Sequence, residues 1–360
     1  MTKNNSFSLI IPTYNERDNI VPLVERIHKA LAGYNYKVLF IDDDSKDGTA
    51  ELIRALSEKY PVEVIVRKDK RGLASAVVDG IGYAKGDIIG VMDADLQHPP
   101  EVLSDLLKAI EDGADMAIAS RYVPGGSCEG WGLARRITSR GAIFIAHVLL
   151  PLTRRIKDPM AGFFVFKKQA IASANLKPTG YKILLEIVME GKFQNIAEVP
   201  YTFKTRSRGQ SKLNMRQQID YLKHIYSLMR RTGELLRFAK FCLVGGSGVG
   251  VNEGLLWLFR EQASLPLPVA SAISVEVSII SNFFFNNYFT FRDRRSSEAK
   301  STSYRLLKFN LVSLVGLGIN VGILTLFTNV VGLHYLYSNL IGIAIAAIWN
   351  YILSTWWTWR

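Results

Sequence analysis

DIIGVMDADLQHPP (Asp87–Pro100) runs an apolar strand straight into two carboxylates one residue apart. Side chains alternate along an extended backbone, so Asp93 and Asp95 reach the same side. Ala94 between them is small. Gln97 adds a neutral oxygen, and Pro99–Pro100 stops the strand. Like charges this close repel unless a cation lies between them. An isolated pair of this kind also occurs in solvated turns, so the rest of the chain has to decide.

The chain before this stretch alternates. Apolar strands are predicted at 7–12, 37–41, 62–66 and 87–92, with helical stretches at 17–32, 47–59 and 73–84 between them. Alternating β and α segments imply a mostly parallel sheet with crossover helices. Ligands of such sheets bind beyond the carboxyl ends of the strands. Those ends read PTYNE (Pro12–Glu16), DDDSKDGT (Asp42–Thr49), RKDKRG (Arg67–Gly72) and MDADLQ (Met92–Gln97). Each has a plain structural reading: a cap at Asp47, a tight turn at Asp44–Ser45, packing at Tyr14. Together they describe a site for a nucleotide and a hard cation, Mg²⁺ or Mn²⁺, held by oxygens. The chain has no zinc-type His/Cys spacing, no Walker A loop and no G-x-G-x-x-G after its first strand.

The 360 residues carry a formal net charge of +12, which points to an anionic partner. The two cysteines, Cys128 and Cys242, are too few for a disulfide framework and fit a reducing compartment. No secretory signal is expected from the polar start MTKNNSFSLIIPTYNE. Nucleic-acid binding would rest on charge alone, because the basic residues sit beside apolar segments with no aromatic platform.

After Leu236 the composition changes. Four stretches, roughly 236–259, 268–291, 306–331 and 336–359, are long and apolar enough to span a bilayer. They repeat: RFAKFCLVGGSGVGVN (Arg237–Asn252) aligns with RLLKFNLVSLVGLGIN (Arg305–Asn320), and the same offset pairs Asn282 with Asn350, Thr290 with Thr358 and Arg292 with Arg360. Two copies of one helical hairpin are expected, in parallel orientation. Gly245, Gly246, Gly248 and Gly250 would allow close helix approach. Basic residues flank the first span (Arg230, Arg231, Arg237) and fill the middle loop Arg292–Arg305, which puts the soluble half on the cytoplasmic side. Trp356, Trp357 and Trp359 suit the interfacial belt. Glu253 and Glu276 lie inside spans and could mark a polar pathway, but the second repeat has Val321 and Ala344 there, so an interhelical hydrogen bond or a near-interface position is the favoured reading.

The motifs PTYNERDNI, DDDSKDGT, DADLQHPPE, SRYVPGG and RSRGQSKL, in this order, resemble the inverting GT-A glycosyltransferases that charge polyprenyl phosphates. The resemblance covers residues 7 to about 230. Ser120–Ala142 is more similar to the mannosyl branch than to the glucosyl one. The membrane half resembles the GtrA-like four-helix module. One departure is Asp44, where members often have Gly or Asn. The fold class implied is an α/β GT-A domain with a Rossmann-like, mostly parallel sheet, followed by an all-α membrane domain of four helices. The expected boundaries are 1–210, an interfacial linker 211–235, and 236–360.

The resemblance implies roles. Pro12, Tyr14, Glu16, Asp43 and Asp69 would line the nucleotide pocket, and Asp93, Asp95 and Gln97 would hold the metal on the donor diphosphate. Arg121, Arg135 and Ser139 would take the lipid phosphate, since arginine matches phosphate geometry. Arg206, Arg208 and Lys212, with Ser211, would close over the donor from a mobile stretch, and Gly125, Gly126 and Gly130 would let the acceptor loop move. The activity implied is mannose transfer from GDP-mannose to dolichyl or another polyprenyl phosphate, with inversion. Asp95 would orient the acceptor rather than take a proton. UDP-glucose is the alternative donor, and a lipid-sugar carrier or flippase the alternative class. Ile143–Leu152 and Met215–Arg231 read as helices lying on the bilayer. In the second, Met215, Ile219, Leu222, Tyr226 and Met229 form one stripe edged by basic residues.

Overall fold

The computed structural model describes residues 6–68, 71–177, 180–204, 215–294 and 299–359. It divides into two compact units, Met1–Thr232 and Gly233–Arg360.

The first unit begins with β1 (Phe7–Thr13), α1 (Arg17–Ala30), β2 (Tyr36–Asp42), α2 (Thr49–Leu56), β3 (Val62–Val66), α3 (Leu73–Tyr83) and β4 (Ile88–Val91). This is the alternation read from the sequence. It continues with α4 (Leu103–Glu111), β5 (Met116–Ser120), β6 (Ser127–Cys128), α5 (Leu133–Leu149), β7 (Phe164–Lys167), α6 (Ile183–Glu190), β8 (Ile196–Pro200), β9 (Thr202–Phe203) and α7 (Met215–Arg231). Seven described strands form one sheet in the order β3-β2-β1-β4-β7-β5-β8. Only β7 runs antiparallel to its neighbours, wedged between β4 and β5. Both faces of the sheet are covered. Leu9 and Ile11 join one core with α1 and α4, while Ile10 points into the other with α3 and α6. The strand ends therefore open at one edge, and β7 starts there, beside the end of β4.

β6 and β9 pair in a small second sheet. This corrects the expectation of a loop freed by its glycines. A Cβ on Gly126 would lie 2.5 Å from Ser120 O, so the backbone is packed rather than slack. The arginines near Ser139 are not on that loop either. They ride on α5, which is one helix from Leu133 to Leu149 and absorbs the shorter apolar segment expected from Ile143.

The second unit contains α8 (Glu234–Trp257), α9 (Leu267–Phe285), α10 (Ala299–Asn329) and α11 (Tyr335–Leu353). Each belongs to an apolar helical stretch long enough to cross a membrane, Glu234–Gln262, Leu267–Thr290, Thr302–Asn329 and Tyr335–Thr358. α8 packs chiefly on α9, and α10 on α11. The sequence repeat organises this unit. Its buried aromatic cluster is Phe241, Phe283, Phe291, Phe309, Tyr351 and Trp359. These are three repeat-related pairs, with the Phe291 and Trp359 rings stacked 4.4 Å apart. Both α9 and α11 end in a π-helical turn at matching positions, Asn286–Thr290 and Ser354–Thr358. Glu276 accepts a hydrogen bond from Asn310 Nδ2 of α10, the interhelical role expected of it.

Of the four glycines expected to bring helices together, only Gly248 does so. A Cβ there would lie 2.3 Å from the Asn282 amide, and one on its repeat partner Gly316 would lie 2.3 Å from Asn350. Gly245, Gly246, Gly250 and Gly318 face open space. Gly248→Leu and Gly316→Leu should each destabilise the membrane unit by about 1–3 kcal/mol through overpacking. Gly246→Leu and Gly318→Leu should leave it within error. Thermal unfolding of the four variants in detergent checks the contrast.

Candidate active site

A cavity of about 650 Å³ opens beyond the carboxyl end of β4. Its lining includes Asp93, Asp95, Gln97 and Glu16 together with Arg121, Arg135, Ser139 and Lys182. The turn after β4 is built for this. Leu96 has φ +60°, a left-handed conformation that a bulky side chain rarely adopts, and Asp95 Oδ1 accepts from Gln97 N–H at 3.1 Å. Gln97 Nε2 donates to Lys204 O at 3.0 Å, which fixes the other end of its amide. The loop before β7 closes on Asp93. A Cβ on Gly162 would lie 3.1 Å from Asp93 Oδ2 and 3.3 Å from His98 Cε1. His98 is fully enclosed, stacks on Phe163 at 5.4 Å, and accepts from Asp93 N–H through Nδ1. Burial lowers its pKa to about 4 despite the nearby Asp95. Its 3.7 Å approach to Asp93 Oδ2 is therefore a contact of a neutral ring, not an ion pair.

Asp93, Asp95 and Gln97 could offer two carboxylates and one amide oxygen to an ion. Among the described residues no three His, Cys, Asp or Glu side chains converge as a metal cage. That fits an ion such as Mg²⁺ or Mn²⁺, which keeps positions for water and substrate phosphate oxygens. It does not fit a structural site.

Arg121 is buried and held by Asp158, which has no solvent exposure. Arg121 Nε and Nη2 each donate to an Asp158 oxygen at 2.7 Å, and Arg121 N–H adds a third bond at 3.1 Å. The fork expected to grip a phosphate is thus already filled, and Nη1 is the guanidinium nitrogen not turned to Asp158. Burial opposes the charge, but Asp158 outweighs it and keeps Arg121 fully protonated. Ser139 Oγ accepts from Tyr122 Oη at 2.8 Å, leaving its own proton for a ligand. Arg135 lies on the first turn of α5, with its guanidinium 4.2 Å from the Trp131 ring centre.

Pro12, Tyr14 and Asp43 are not part of this cavity wall. Asp43 is buried and both its oxygens are engaged, by the Arg67 guanidinium and by Gly72 N–H at 2.8 Å. It ties the end of β2 to the 67–72 segment. Tyr14 is exposed, with the Arg71 guanidinium 5.0 Å from its ring. Asp44 has φ +58°, which accounts for the Gly or Asn that the resemblance leads one to expect there. Asp69, Arg206, Arg208, Ser211 and Lys212 lie outside the described residues.

Three groups were missed in the sequence. Asp158 is the partner of Arg121. Glu186 of α6 is buried and bridges to His224 and Arg231 of α7, which seats that helix on the domain. α7 in turn meets α5, where Tyr221 Oη donates to Ala142 O at 2.6 Å. The third is Lys182, whose ammonium donates to Met160 O at 3.0 Å inside the cavity. YKILLE reads simply as a helix start, so nothing in it singles out the lysine. Both α5 and α7 leave an apolar stripe uncovered: Leu133, Ile137 and Phe144 on one, Ile219, Leu222 and Tyr226 on the other. Met229, expected in the second stripe, is buried.

A glycosyl transferase family 2 domain matches residues 8–173, and the transmembrane domain shared by GtrA and DPMS proteins matches residues 240–359. The dolichol-phosphate mannosyltransferase of Pyrococcus furiosus is 47% identical over 354 residues, 98% of this chain and 99% of the relative. The chain belongs to the dolichol-phosphate mannosyltransferase family. It is an integral membrane glycosyltransferase. The Saccharomyces cerevisiae member is 38% identical and covers 65% of this chain and 92% of its own. Among solved structures, mannosyl-3-phosphoglycerate synthase from Rubrobacter xylanophilus superposes with a TM-score of 0.52 at 19% identity, covering 64% of this chain and 75% of the other. Glucosyl-3-phosphoglycerate synthase from Mycobacterium tuberculosis, solved with Mn²⁺, UDP and product, gives 0.51 at 18% identity, covering 64% and 81%. Both share the fold of the first unit.

Lys182 yields a prediction. Burial lowers its pKa from 10.5 to about 8, Arg121 adds to the drop, and Asp158 and Asp93 oppose it. Below about pH 8 the ammonium is charged in folded and unfolded chains alike, so the fold bears the whole cost; between about 8 and 10.5 the folded chain loses the proton first and the cost fades. That cost is about 3 kcal/mol at most. Lys182→Met should therefore stabilise the ligand-free protein at pH 7, with the gap to wild type closing by about pH 10. Thermal unfolding against pH measures it.

Proposed function

We propose that the chain transfers mannose from GDP-mannose to dolichyl or another polyprenyl phosphate, with inversion, at the cytoplasmic face of the membrane. The observation that carries this reading is one cavity lined by both carboxylates and cationic side chains, in a chain 47% identical to a dolichol-phosphate mannosyltransferase. The carboxylates suit a divalent cation and the donor diphosphate. The cationic side chains suit a second anion, the acceptor phosphate.

The residues that would hold Mg²⁺ or Mn²⁺ are Asp93, Asp95 and Gln97, and the ion supplies neutralisation of the departing diphosphate. The Mycobacterium tuberculosis neighbour, solved in complex with Mn²⁺ and UDP, supports the choice of a divalent ion. Arg135 and Ser139 would bind the acceptor phosphate, with Arg121 Nη1 and Lys182 adding positive potential. A phosphate monoester has a second pKa near 6 and is largely a dianion at neutral pH. Its oxygen can form the new bond to the anomeric carbon while the bond to the GDP oxygen breaks and the electron pair leaves on GDP. No proton has to move, so no general base is needed. The protein's task is to hold two anions in line. One displacement turns an α-linked donor into a β-linked product.

The uncovered stripes of α5 and α7 would rest at the headgroup level, where a polyprenyl phosphate presents its head. Arg230, Arg231, Arg237 and the basic 292–305 segment favour the cytoplasmic side. The test is sugar transfer by purified protein in detergent with dolichyl phosphate and Mn²⁺, comparing GDP-mannose with UDP-glucose. The expected product is β-mannosyl lipid from GDP-mannose, reduced on the order of a hundredfold or more by Asp95→Ala. Glucose transfer or an α-linked product would contradict the reading.

A further inference from the structure

We infer that the second unit binds the headgroup phosphates of two anionic phospholipids, one at Lys240 and one at Lys308. These sites belong to the membrane unit alone and do not depend on the reaction proposed above.

The sequence repeat relates the two lysines, in RFAK (Arg237–Lys240) and RLLK (Arg305–Lys308), and at the same offset it relates Phe289 to Trp357. The structure puts each lysine on its own aromatic. The Lys240 ammonium lies 4.7 Å from the centre of the Phe289 ring. That of Lys308 lies 5.4 Å from Trp357 and 4.4 Å from Tyr304. Phe289 and Trp357 are each the fourth residue of the π-helical turn that ends their hairpin. Each hairpin thus brings its last turn against a lysine in the second turn of its first apolar stretch. The aromatics stay on the outside of the unit: Phe289 is 52% exposed and Trp357 41%, and Tyr288 and Trp356 beside them are exposed too. Exposed aromatics at the ends of spanning helices sit at the headgroup level, where lipid phosphates lie.

Neither ammonium is neutralised by the described residues. Among them Lys240 meets only the ring, and Lys308 adds one hydrogen bond, to Trp357 O at 3.2 Å. One turn earlier the arginines are committed. Arg237 pairs with Glu234 and Asp293, and Arg305 is buried and donates to Thr302. An ammonium has three N–H donors and no acceptor, so each lysine keeps at least two donors for a ligand. A lysine that only snorkels carries its charge along the chain into water. These two are laid over aromatic rings instead. A cation fixed on an aromatic face, with spare donors at the headgroup level, complements a lipid phosphate. Neither lysine lines the cavity of the first unit. Two equivalent places outside that cavity suit a bulk membrane phospholipid rather than the one polyprenyl phosphate that turnover consumes.

Native mass spectrometry of the full chain, with equal amounts of phosphatidylglycerol and phosphatidylcholine in the detergent, tests this. Wild type should retain up to two phosphatidylglycerol molecules in preference to phosphatidylcholine. Lys240→Gln and Lys308→Gln should each weaken one site about fivefold or more. The double variant should show no preference, and Lys240→Arg should keep it. Should a variant fail to fold, the wild-type preference and count still decide. Equal retention of the two lipids by wild type would overturn the inference, as would a preference that survives in the double variant. So would dolichyl phosphate taking the same two lysine-dependent places ahead of phosphatidylglycerol.

Discussion

Asp158 is cut off from water, and its charge is met by Arg121 through a two-pronged pair and a backbone bond. Removing one member of such a pair strands the other, so the two are fixed together. The rest of the site is arranged around that bond. It pins the end of β5 to the segment leading into β7. The same segment carries Gly162, whose missing side chain lets Asp93 and His98 sit close. Asp158 N–H also donates to Glu198 of β8, which extends the tie across the sheet edge. One buried ion pair thus ties the end of β5, the segment before β7 and β8 together.

The carboxylates at the end of β4 pose the opposite problem. Asp93 and Asp95 lie one residue apart and both line the cavity. Neutral His98 supports the Asp93 backbone without cancelling its charge, and the amide of Gln97 is turned by Lys204 O.

Much of this was legible in the sequence, for stated reasons. The first four strands are apolar runs ended by polar turns, and the fixed offset between Arg237 and Arg305 revealed the duplicated hairpin. Its aromatic core then follows the same offset. What could not be read depends on contacts between distant segments. β7 is four residues long and runs against the alternation that predicts parallel strands. Asp158, Glu186 and Lys182 sit in stretches with no local pattern, and only burial against Arg121, His224 and the cavity gives them meaning. Gly125, Gly126 and Gly130 suggest a mobile acceptor stretch, whereas Arg135 lies on α5, a regular helix from Leu133. Asp43 was read as a ligand-facing acid, yet Arg67 occupies it.

In the proposed reaction, Asp93 and Asp95 would coexist because a divalent cation joins them to the donor diphosphate. Mn²⁺ binding followed by electron paramagnetic resonance, with and without GDP, tests it without relying on turnover. Weak Mn²⁺ binding is expected alone, at least tenfold tighter binding with GDP, and loss of that gain in Asp95→Asn while the fold persists. Equal GDP affinity with and without Mn²⁺, or an undiminished gain in Asp95→Asn, would contradict it.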